Sequence, residues 1–141
     1  MKILITAFIL AIQLGSAYAD EGANLQVIAL LKAQFDKPDK PLKVDAVTSF
    51  LDYGLAAWTQ GEMGGRALLK KTGDGWKITL CGGKELMSAA VLEKSGLPSN
   101  VAKKLVKEMA ESEAKLSSGM RRQFDSFEMN HSVKEEHHQS H

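Results

Sequence analysis

Two periodicities divide the chain. From Asn24 to Phe35 the apolar residues recur at helical spacing: Leu25, Ile28, Leu31 and Phe35 share one face, and Val27 and Leu30 widen the stripe. Asp36-Lys37-Pro38-Asp39-Lys40-Pro41 ends that helix, because each proline disfavours helical backbone at the residue before it and lacks an N–H donor. From Leu42 the period falls to two. Leu42, Val44 and Ala46 alternate with Lys43 and Asp45, and Val47, Phe50 and Leu51 then break the alternation, which predicts a bulge or twist before a turn at Asp52. In the next strand Tyr53, Leu55 and Ala57 point one way and Gly54, Ala56 and Trp58 the other; residues that small imply a close neighbour, such as a packed helix.

Gln60-Gly61-Glu62-Met63-Gly64-Gly65 reads as a hairpin loop leading into an extended Arg66–Lys71. It is not a phosphate loop, for the lysine and hydroxyl that such a loop sets at a helix start are missing. Thr72-Gly73-Asp74-Gly75 predicts a second hairpin, with positive φ across Asp-Gly. In the strand that follows, strict alternation groups Trp76, Ile78 and Leu80, and sets Cys81 on the opposite face with Lys77 and Thr79. After Gly82-Gly83 the period returns to helical. Leu86, Met87, Ala90 and Val91 line the inner side of a helix over Lys84–Lys94 that stops at Gly96, and Val101, Leu105, Met109 and Leu116 line a second, its lysines and glutamates forming a solvated face. A third, Ser118–Phe127, docks Phe124 and Phe127. The expectation is an α+β fold: an antiparallel meander of about four strands, packed by an N-terminal helix and two to three C-terminal helices.

The two ends lie outside this pattern. Residues 1–19 read as a secretory signal peptide, with Lys2, an apolar run from Ile3 to Leu14, and Ala17-Tyr18-Ala19 before Asp20. The apolar run is shorter than a membrane span requires, so the mature protein is expected to be exported and not embedded in a membrane. Residues 20–128 then form one domain, and residues 129–141 a disordered His-rich tail with no apolar period. Loss of Lys2 with the leader leaves equal numbers of basic and acidic residues, which argues against nucleic acid as a partner.

The chemistry concentrates in the tail. All four histidines, His131, His137, His138 and His141, follow Asn130, and Met129 precedes them. Imidazole binds Cu(II), Zn(II) and Ni(II), and a thioether favours Cu(I), so this composition suits copper capture and hand-over. Glu135 and Glu136 add weak oxygen ligands. The bland alternative is a solvating polar tail that binds metals only incidentally. The strands hold no histidine, and Asp52, Glu62 and Asp74 fall at turns, which points away from an enzyme. Cys81, the one cysteine, is open to three readings: a buried thiol, a Cu(I)-preferring ligand, or a thiol paired with another molecule. Met63, Met87, Met109 and Met120 read as core filling.

Asp52-Tyr53, Ala57-Trp58, Gly61, Gly64-Gly65-Arg66-Ala67-Leu68-Leu69, Trp76, Leu80-Cys81-Gly82-Gly83, Leu97-Pro98 and Phe124-Asp125-Ser126-Phe127-Glu128, followed by a His-rich end, resemble the copper uptake system-associated proteins. These are small exported proteins of Gram-negative bacteria, grouped with periplasmic copper chaperones and copper-uptake outer-membrane receptors. The resemblance spans nearly the whole mature chain and implies a periplasmic accessory role in copper uptake or homeostasis, with a copper ion as ligand and a periplasmic copper chaperone or copper-uptake membrane protein as partner. It supplies no ligand set. The rival expectation is a protein-interaction module with no direct metal role, docking through a sheet face around Tyr53, Trp58 and Arg66.

Overall fold

A computed structural model describes residues 15–128, with side chains from residue 21 onward. The chain runs α1 (Gly15–Phe35), β1 (Leu42–Phe50), β2 (Tyr53–Gln60), β3 (Met63–Thr72), β4 (Gly75–Gly82), a 3-10 turn (Lys84–Met87), α2 (Ala89–Lys94), α3 (Ser99–Glu113) and α4 (Ser118–Asp125). The strands form one antiparallel sheet in the order β1-β2-β3-β4, the expected meander.

The sheet is covered on both faces. Ala46, Leu55, Ala57 and Leu68 meet Leu86, Leu92, Val101, Leu105, Met109 and Phe124 on the α3 side. Leu42, Ala56, Ala67, Leu69 and Trp76 meet Val27 and Leu31 of α1 on the other. Gly54 is where α1 comes closest, since a Cβ there would touch Val27 and Trp76 at 3.5 and 3.4 Å; a helix does lie on the small-residue face of β2. Trp76 donates its indole N–H to Gln26 at 3.0 Å, fixing the same helix.

Several details depart from simple periodicity. α1 begins at Gly15, ahead of the expected Asn24, and so runs through the expected cleavage junction; its described packing residues Ala23, Val27, Leu30 and Leu31 all follow Asp20. Its buried seam is rotated from the expected one, leaving Leu25 and Phe35 exposed at 64% and 42%. The β1 bulge falls between Val44 and Ala46, so Leu42, Val44 and Val47 face α1 while Ala46 and Phe50 face α3. The first hairpin loop is only Gly61-Glu62, and Gly61, at φ 61°, supplies the positive first position of such a turn. In the second, positive φ occurs at Gly75 rather than across Asp74-Gly75.

The expected helix Lys84–Lys94 is broken at Ser88, whose hydroxyl accepts from Val91 N–H and starts α2 afresh. That restart shifts the phase: Leu92 is buried and Ala90 exposed. Gly96, at φ 106°, ends it as expected. Leu116 lies beyond α3 and packs only partly on the core.

Candidate functional site

The end of the sheet where β2 turns into β3 carries the features of interest. The strands end unevenly there: β4 stops at Gly82, opposite Arg66, while β3 extends back to Met63. The last turn of α4 and the residues after it pack along the uncovered stretch. A Cβ on Gly64 would stand 2.7 Å from the carbonyl oxygen of Gln123, one on Gly65 2.9 Å from Phe127 Cβ, and one on Gly83 2.6 Å from the carbonyl oxygen of Phe127. Only glycine admits backbone that close. The Gln123 amide donates to the carbonyls of Gly61 and Met63 at 2.9 and 2.8 Å, tying the segment to the hairpin.

Arg66 locks this arrangement from the α3 side. It is 2% exposed and grips Glu113 with two parallel bonds, Nε to Oε2 at 2.9 Å and Nη2 to Oε1 at 2.6 Å. Its Nη1 donates to the Gly83 carbonyl at 2.9 Å and to Asp125 Oδ1 at 2.8 Å, and the guanidinium lies over the Phe124 ring. Burial alone would lower the Arg66 pKa, but the hydrogen bonds and charges of Glu113 and Asp125 outweigh it and hold the guanidinium above its ordinary value. One side chain thus joins β3, the end of α3, the exit from β4 and the end of α4.

On the α1 side the same end opens into a cavity of about 490 Å³, lined among others by Leu31, Phe35, Trp58, Met63, Cys81 and Phe127. Trp58 and Phe127 meet edge to face, with ring centroids 5.8 Å apart. Met63 is 57% exposed and Phe35 42%, so the cavity has an apolar rim open to solvent. Gln60 and Glu62 supply polar lining, and Gln60 donates to the carbonyls of Phe35 and Lys40, closing the α1 end.

Cys81 does not share a face with Lys77 and Thr79 as expected. The β3–β4 register slips between Leu68 and Leu69, so that Leu80 opposes Leu68 while Ile78 opposes Leu69 and Thr79 is the extra residue. One inserted residue reverses the alternation. Cys81 therefore joins Trp76 and Ile78 on the α1 side, and Leu80 packs toward α3. The thiol is free and half-buried, and burial pushes its pKa up. Thr79 donates its hydroxyl to the Leu68 carbonyl at 3.1 Å, pinning the bulge.

Of the expected metal ligands, Cys81 alone falls within the described residues; Met129, His131, His137, His138 and His141 lie outside them, as do Glu135 and Glu136. No group of three or more His, Cys, Asp or Glu that could hold a metal occurs among the described residues. No helix among them is long and apolar enough to cross a membrane. The docking face expected around Tyr53, Trp58 and Arg66 does not form: Tyr53 packs toward α3, Trp58 toward α1, and Arg66 is buried. Glu113, read from sequence as solvated, is 4% exposed. Its signal was present, since Val101, Leu105, Met109 and Glu113 recur every four residues and put the glutamate on the buried stripe.

No family model matches the sequence, and no curated protein and no solved structure matches it either.

Proposed function

We propose that this is an exported, non-enzymatic copper-binding accessory protein that captures or hands over copper through Met129, His131, His137, His138 and His141. The membership suggested by its resemblance to the copper uptake system-associated proteins belongs to the same proposal. So does its place in the periplasm, with a copper chaperone or copper-uptake membrane protein as source or recipient. The observation that carries the reading is a juxtaposition: the fold fixes residues 123–127 through Arg66, Gly64, Gly65 and Gly83, immediately before every histidine in the sequence. Donor-rich chain then starts from a rigid base. The raised pKa of Cys81 keeps the thiol protonated near neutral pH, which favours a carrier over a nucleophilic enzyme.

The test is titration with Cu(I) and Cu(II) against competing chelators. It compares the mature chain, a chain ending at Glu128 and a Cys81→Ser variant. The reading expects tight binding that the truncation abolishes and that weakens below about pH 6, where imidazole protonates. Binding that survives truncation but fails in Cys81→Ser would move the site to the cavity. No competitive binding in any form would end the carrier reading. The exposed Phe35 and Met63 favour a second reading, an interaction module with no metal role. Under it, deletion of residues 130–141 leaves the cellular phenotype intact and Met63→Asp abolishes it.

A further inference from the structure

We propose that the cavity beside Cys81 binds a small organic cation from solution, an ammonium group carried on an aromatic or alkyl body. The inference rests on the cavity alone and stands independently of any metal. Size and lining select the body. A volume of about 490 Å³ falls within the roughly 300–1,000 Å³ of small-molecule pockets, and a dry cavity of about 150 Å³ already accepts a benzene ring. Leu31, Phe35, Leu42, Met63 and Ala67 make the lining largely apolar. Trp58 and Phe127 are already in edge-to-face contact and act as one aromatic wall, against which a ligand lies without parting the rings. The exposed rim at Phe35 and Met63 gives it a way in.

The polar groups of the lining select the head. Gln60 spends its amide donors on the carbonyls of Phe35 and Lys40, at 2.7 and 2.9 Å, which leaves its own carbonyl oxygen as an acceptor. Ser126 donates its hydroxyl to the Gln123 carbonyl at 2.7 Å and keeps its lone pairs. Glu62, exposed in the hairpin turn, makes no ion pair among the described residues. The other side-chain donors on the lining, the Trp58 indole and the Cys81 thiol, are uncharged, and among the described residues no lysine, arginine or histidine lines the cavity. An ammonium group fits this inventory. It only donates, it brings the charge that Glu62 lacks, and aromatic faces attract it. A carboxylate ligand would instead meet the like charge of Glu62 with no cation on the lining to offset it.

The experiment compares three probes of similar length, 4-phenylbutylamine, 4-phenylbutanol and 4-phenylbutyrate, by calorimetric titration of the mature chain with copper chelators present. The amine is expected to bind about tenfold more tightly than the carboxylate, with the alcohol between them. Glu62→Gln changes an exposed turn residue and leaves the apolar lining intact; it is expected to remove most of that preference and leave the alcohol unchanged. A second measurement places the ligand. Labelling of Cys81 by a neutral thiol reagent is expected to slow as the amine is added, with half-saturation at the concentration the titration gives. Failure of all three probes to bind at millimolar concentration overturns the proposal, and so does equal affinity for amine and carboxylate. Binding that leaves the labelling rate unchanged overturns it too, for the ligand would then lie elsewhere. Binding that appears only in a chain ending at Glu128, or that weakens as protein concentration rises, also overturns it, because the cavity would then be filled by the chain's own tail or by a second copy. A failed copper titration would leave these readouts untouched.

Discussion

The two faces of the sheet are built to different standards of closure. Toward α3, the core is sealed: Leu55, Leu68, Leu86, Leu92, Leu105 and Phe124 are all fully buried, and the buried charges beside them, Arg66 and Glu113, are paired with each other. Toward α1, that helix alone among the described residues covers the sheet, and beyond Leu31 lies a half-open cavity with Cys81 in its lining and Met63 and Phe35 at its rim. The same segment borders both: Asp125 and Phe124 hold Arg66 on the closed side, and Phe127 walls the cavity on the open side. The difference teaches a division of labour, in which rigidity on one face fixes the chain that frames an open cavity on the other.

Removing Arg66 is the severest way to break that arrangement. Arg66→Ala leaves Glu113 buried without its cation, and loss of one partner from a buried pair costs about 3–5 kcal/mol. A domain of this size has about 5–15 kcal/mol in all, so denaturant unfolding should show a large fall in midpoint. Replacing both members with apolar residues, Arg66→Met with Glu113→Leu, is expected to recover much of that loss, because no orphaned charge remains on α3. Failure of the double variant to recover would mean that the bonds to Gly83 and Asp125 carry the effect instead.

The faces should also respond differently to the same truncation. Leu105 and Leu31 are both buried, yet Leu105 sits in the sealed core and Leu31 on the cavity wall. Leu105→Ala should fall near about 5 kcal/mol and Leu31→Ala near about 2, since solvent can enter an opened cavity but not a sealed core. Equal losses in chemical denaturation would show that the cavity is closed in solution.

A methyl group added at the crossing point should produce a smaller but more local effect. Gly64→Ala forces a Cβ against the Gln123 backbone, which cannot yield without moving α4, and overpacking of that kind costs about 1–3 kcal/mol. Hydrogen exchange should rise mainly in residues 118–127. Gly73→Ala meets nothing within 4 Å and is the control expected to change little.

Those contrasts mark how far the sequence could be read. The meander, the proline stop, the covered face of Gly54 and the stop at Gly96 were legible because each depends on a few adjacent residues. Cys81 was misplaced because one extra residue at Thr79 reverses every later side chain in β4, and a bulge leaves no trace in a two-residue period. Ser88 hid inside an apolar run, although as a helix-capping residue it could have split the helix. The pairing of Arg66 with Glu113 joins residues far apart in the chain, which no local pattern reports. Of the candidate site, Cys81, Trp58 and Phe127 were picked out singly, but the cavity they share exists only once α1 and the end of α4 have packed.

The smallest expected effect isolates the open face by pH. Cys81 has its pKa raised by burial above the ordinary value of 9.0, so the folded state favours the protonated thiol more than the unfolded state does. Its contribution to stability is therefore fully present below about pH 9 and is lost as pH rises through the folded-state pKa, where the folded chain must hold a desolvated thiolate. Other groups titrate in the same range, so the informative quantity is a difference between proteins. Cys81→Ala should lose stability at pH 7 for want of packing, yet show a shallower decline between pH 8 and pH 10 than the parent. Parallel declines in the two proteins would mean that water already reaches the thiol through the cavity, and that the open face is wetter than its apolar lining implies.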